Sequence, residues 1–128
     1  MQQVVLWKRE PEEHDYPAAG AYLSLLAGSD VVPPLVAGLR DAQVSYAKAK
    51  DLLRASRLPL LPADDQHVVR DIHKVRSGAL LSPVLLVRGD LSAGLPLVVA
   101  DGYPRICASY HLAEDTDVPC KIVELPPR

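Results

Sequence analysis

The chain has 128 residues, of which 48% are apolar and 23% charged, with 14 Lys and Arg set against 16 Asp and Glu. That length suits one domain with a real core, and with no Phe and a single Trp the core must come from Leu, Val, Ala and Ile. A net charge of −2 without a clustered basic block speaks against a sequence-independent grip on nucleic acid, and no apolar run reaches the roughly 18 residues of a membrane span.

The N-terminal stretch MQQVVLWKREPEEHDY meets acidic residues early and lacks a signal-peptide core, so a cytoplasmic location is expected. QQVVLWKRE reads as a short strand or an extended arm. PEEHDYPAAG reads as a turn feeding a helix, with Asp15 as N-cap and Pro17 in the first turn. Ala18, Tyr22, Leu25 and Leu26 recur at helical spacing, and Gly28 is placed to stop the helix. Ser29 or Asp30 caps a second helix whose Pro33 and Pro34 fit only its first turn, and this helix continues through LVAGLRDA.

From Gln43 the pattern changes. VSYAKA suggests a strand and KDLLRAS a short helix. Asp64 or Asp65 caps a helix over residues 66–77, with Val68, Val69, Ile72 and Val75 as its apolar stripe. Arg70, Asp71, Lys74 and Arg76 are expected to face elsewhere, and Gly78 to end the helix. SPVLLVRG and LPLVVAD are strand-length runs joined by GDLSAG, which predicts an antiparallel hairpin. RICASYHLA reads as a helix and VPCKIVEL as a last strand. The order predicts an α+β domain with a small mixed sheet and flanking helices.

The turn in VVADGYPRICA carries the chemistry. A strand ending on Asp101 and a helix starting near Pro104 leave a tight turn, where Gly102 admits positive φ and close approach. Unpaired helix N–H groups and the dipole favour an anion there, and Arg105 adds a guanidinium suited to phosphate oxygens. Asp101 is unwelcome beside a bare phosphate unless it holds Arg105, a metal or a hydroxyl group. The plainer alternative is that Asp101 and Arg105 pair with each other at an ordinary strand-to-helix boundary.

LSPVLLVRG, PLVVADGYPRICASYHL and DVPCKIV, in that order, resemble the core of the ParB/sulfiredoxin-like domain. Its members show a strand, an Asp-Gly-X-His-Arg or Gly-Glu-Arg-Arg type turn, a helix and a "vPv" strand. The resemblance covers about residues 58–125. It implies a ParB/sulfiredoxin-like domain over residues 43–128 and an N-terminal helical extension over residues 1–42. It also implies that Gly102, Tyr103 and Arg105 cradle phosphate, with Lys74 or Arg76 within reach. The histidine that often precedes the family's arginine is replaced by Pro104, which has no titratable group. The sulfiredoxin cysteine is replaced by Tyr103, so sulfiredoxin activity is not expected. With the chain ending at Arg128, no helix-turn-helix DNA-binding region of partitioning proteins is expected.

The remaining candidates are weaker. Cys107 and Cys120 form no CxxC pair and are expected to pack as small apolar groups. His67 and His73 do not share a helix face, and no ligand spacing predicts a metal site. The acidic run over residues 113–117 reads as a solvated loop. The function expected is binding of a nucleotide or other phosphorylated small molecule at the Asp101–Arg105 turn. Asp101 is the tentative catalytic group, orienting Arg105 or a magnesium ion, for a nucleotide hydrolase or phosphotransferase if the chain is an enzyme. The alternative is a non-catalytic interaction module whose N-terminal helices dock a protein partner or a second copy, with a nuclease ranking third.

Overall fold

A computed structural model describes residues 4–126. The beginning of the expected N-terminal strand or arm, Gln2 and Gln3, lies outside them. Among the described residues there are five helices and four strands. These are α1 (Asp15–Leu23), α2 (Val32–Asp41), β1 (Ser45–Lys48), α3 (Ala49–Ser56), α4 (Gln66–Arg76), β2 (Val84–Val87), β3 (Val98–Asp101), α5 (Tyr103–Leu112) and β4 (Asp117–Val123). The sheet order is β1-β4-β2-β3. β1 pairs antiparallel with β4, β2 antiparallel with β3, and β2 parallel with β4. The fold is α+β with a mixed sheet.

β2 explains the layering. All four of its residues are buried, and their side chains alternate between faces as the strand's period of two requires. Val84 and Leu86 join a core built with α3, α4 and α5, which contribute Leu52, Leu53, Val68, Ile72 and Ile106. Leu85 and Val87 join a second core with Tyr16, Ala19 and Leu23 of α1 and Val32, Leu35 and Leu39 of α2. The two N-terminal helices, α1 and α2, therefore cover one face of the sheet over β2, β3 and β4.

Lys121 of β4 is buried on that side. Its Nζ donates to the Arg40 carbonyl at 2.9 Å and pairs with Glu10 Oε2 at 3.1 Å, and it lies 5.6 Å from the centre of the Tyr16 ring. Arg40 covers the same ring at 4.5 Å and pairs with Glu13.

Several local readings hold. Asp65 caps α4 through His67 N and Val68 N, and Gly78 takes φ 82° behind it. Pro33 and Pro34 stand in the first turn of α2. Others need correction. His14, not Asp15, is the N-cap of α1, and Asp15 Oδ2 accepts from Glu12 N at 2.9 Å. α1 ends at Leu23 instead of running to Gly28, because the amides of Leu25 and Leu26 turn to acceptors three residues back. The buried face of α1 is Tyr16, Ala19 and Leu23, whereas Leu25 is 80% exposed. Neither Ser29 nor Asp30 caps α2; Val31 stands at that position without a side-chain bond.

Candidate functional site

β3 ends at Asp101 and α5 begins at Tyr103, so Gly102 alone makes the turn. Its φ of 109° lies in the left-handed region, which a side chain disfavours. Close approach is a second reason for glycine. A Cβ here would sit 2.5 Å from Val84 Cγ1 and 2.8 Å from Arg105 Nη2. Pro104 occupies the first turn of α5, where a missing N–H costs nothing. The other amides of that turn have no acceptor within the helix.

Arg105 is folded inward. Its Nη2 donates to Asp101 Oδ2 at 2.7 Å and its Nη1 to the Ser82 carbonyl at 3.0 Å. Asp15 Oδ2 stands 3.8 Å from Nη1. The guanidinium thus links the end of β3, the approach to β2 and the start of α1. Burial raises the Asp101 carboxyl above the usual range, and the Asp15 charge adds to this against the pull of Arg105.

A cavity of about 670 Å³ opens on the turn. Asp101, Gly102, Pro104 and Arg105 form one wall, and Arg70, Asp71 and Lys74 of α4 form another. Lys8, Glu12, His14 and Asp15 close the third side. There the charges are largely matched: Lys8 pairs with Glu12, and His14 Nε2 lies 3.2 Å from Glu12 Oε2 and 3.4 Å from Asp15 Oδ1. Arg70 and Lys74 differ. Among the described residues neither has a carboxylate within ion-pair distance, and Arg70 Nη2 meets only His67 Nδ1 at 3.2 Å. They are four residues apart on one helix, hence neighbours on its surface.

The structure brings Asp101, Gly102, Arg105 and Lys74 to this cavity. The Tyr103 side chain goes elsewhere: its hydroxyl donates to the Pro59 carbonyl and its ring packs on the α3–α5 core. Only its main chain stays at the turn. Arg76 is not on the cavity wall.

Six ionisable wall residues were missed as site candidates: Lys8, Glu12, His14, Asp15, Arg70 and Asp71. Asp71 is the most telling. Grouped with the outward charges of α4, it is instead only 5% exposed. Val68, Asp71, Ile72 and Val75 form the i, i+3, i+4, i+7 face, while Val69, taken into the stripe, is exposed. A carboxylate at a core-spaced position was the signal available in the sequence.

Among the described residues no group of three or more His, Cys, Asp and Glu is placed to hold a metal ion. Cys107 and Cys120 are free and buried, and burial raises both thiols, which keeps them protonated and unreactive. None of the described helices is long and apolar enough to cross a membrane. No family model, no curated protein and no solved structure matches the chain.

Proposed function

We propose that this chain is a cytoplasmic ParB/sulfiredoxin-like protein that binds a nucleotide or another phosphorylated small molecule in the cavity at the Asp101–Arg105 turn. The observation that carries the reading is the pair Arg70 and Lys74, two cations one helical turn apart on the cavity wall that, among the described residues, have no carboxylate within ion-pair distance. The start of α5 lies across from them and adds the positive end of its dipole. Arg105 acts from beneath: two of its donors are committed to Asp101 and Ser82, so it supplies field and shape, not a free fork. The volume is in the range of small-molecule sites.

Magnesium would enter on the ligand's phosphate. Asp101 is tied to Arg105, and among the described residues no three carboxylates are placed together to hold a resident ion. Pro104 faces the cavity with no proton to give or take, so binding without turnover fits this chain better than phosphoryl transfer.

Titration calorimetry with inorganic tripolyphosphate and nucleoside triphosphates, with and without magnesium, tests the reading. Replacing both Arg70 and Lys74 by Gln should weaken binding at least about ten-fold, the loss of one or more charge-assisted bonds. No binding by wild type, or equal binding by the double variant, would refute it.

Exposed Tyr22, Leu25 and Leu26 at the end of α1 favour a second reading, docking of a protein partner or a second copy. Sedimentation of wild type against Leu25→Glu decides the homodimer: a monomeric wild type removes it.

A further inference from the structure

Asp71 is nine-tenths buried, lines the cavity, and accepts no hydrogen bond from any described residue. No side-chain oxygen among the described residues is both fully enclosed and unpartnered, so the Asp71 carboxylate keeps its contact with the cavity space. A desolvated carboxylate without donors is costly. The positive charges of Arg105, Lys74 and Arg70 act on it from beyond ion-pair distance. That field repels an ammonium group and leaves a neutral donor as the favoured guest.

We infer that Asp71 selects the ligand by accepting hydrogen bonds from its hydroxyl groups while the phosphate lies on Arg70 and Lys74, so the ligand class is a phosphorylated polyol, a sugar phosphate or a ribonucleotide. The inference rests on the phosphate-binding reading above. Asp71 and the two cations lie within one turn of α4, so one end of a small molecule meets the carboxylate and the other the cations. Bare phosphate gains the cations but also meets the negative charge of Asp71. A polyol phosphate turns that charge into a specificity contact.

Calorimetry on the full chain with ribose 5-phosphate, inorganic phosphate and phosphoethanolamine tests it. Wild type should bind ribose 5-phosphate at least about ten-fold tighter than either of the others, the worth of a hydrogen bond to a charged acceptor. Asp71→Ala should bring the three within about three-fold, with inorganic phosphate binding as well as before or better. Asp71→Asn, which keeps one carbonyl acceptor, should fall between. AMP in place of ribose 5-phosphate separates a ribonucleotide from a free sugar phosphate as the source of the hydroxyls.

A ratio unchanged in Asp71→Ala, a preference for phosphoethanolamine, or a ratio that appears only with magnesium would overturn the inference and leave phosphate binding standing. Failure of wild type to bind any of these, or tripolyphosphate, overturns both. The wild-type ratio decides even if a variant folds poorly.

Discussion

Replacing Gly102 by Ala asks whether the turn is as tightly determined as its geometry says. Two costs are expected. A side chain at φ 109° adds about 1–2 kcal/mol of backbone strain. Its Cβ would also lie 2.5 Å from Val84 Cγ1 and 2.9 Å from Val84 Cβ. Val84 is fully buried on the central strand β2 and stiff at χ1, so it cannot yield cheaply. Overpacking of this kind costs about 1–3 kcal/mol. The total is on the order of 3 kcal/mol, or roughly a 10 °C loss in Tm for a domain of this size. Gly94→Ala is the internal control, because Gly94 has φ 70° with nothing within 4 Å of an added Cβ. It should show the strain alone, about 1 kcal/mol. Urea denaturation of both variants separates strain from collision. A Gly102→Ala protein as stable as Gly94→Ala would refute the collision with Val84.

Three more expectations follow from the same geometry. Burial raises the Asp71 carboxyl, so the native state holds its proton more tightly than the unfolded chain, and this group's contribution to stability falls as pH rises between the ordinary carboxylate value and the raised one. Asp71→Asn should therefore be more stable than wild type near about pH 7, with the advantage fading toward about pH 4; an advantage that grows on acidification would contradict this. Deleting residues 1–42 removes Tyr16, Leu23, Val32, Leu35 and Leu39 from the cover of Leu85 and Val87, a loss on the order of 10 kcal/mol against a usual total of about 5–15. Circular dichroism should show no cooperative unfolding transition for residues 43–128. Pro104→His restores a titratable group on the cavity wall, and phosphate release from a bound nucleoside triphosphate above the wild-type level would mark an eroded enzyme.

What could be read from the sequence was local chemistry. Asp65 capping α4, Gly78 behind it, and two β-branched runs flanking GDLSAG each depend on neighbours within a few residues, and the Asp90–Leu95 bridge closes that hairpin. What escaped was set across the fold. In α1 both Ala18, Tyr22, Leu25 and Tyr16, Ala19, Leu23 have helical spacing. The choice between them falls to Arg40 and Lys121, which pack on Tyr16 from α2 and β4. The turn at Gly102 was legible because one glycine, one proline and one arginine define it. That Arg105 points inward was not, since its partners Ser82 and Asp15 lie 23 and 90 residues away in sequence. Asp71 was misread because its charge was weighed above its position in the heptad.

The cavity draws Asp15 from the helical pair on one side of the sheet and Arg70, Asp71 and Lys74 from the opposite side, with Arg105 as the rivet between them. Its shape consequently exists only in the assembled sandwich, and a bound guest pulls the whole assembly toward the native state by mass action. Loosening a remote residue such as Leu39 therefore disturbs the site without touching it, because Leu39 shares a core with the helix that presents Asp15 to the cavity.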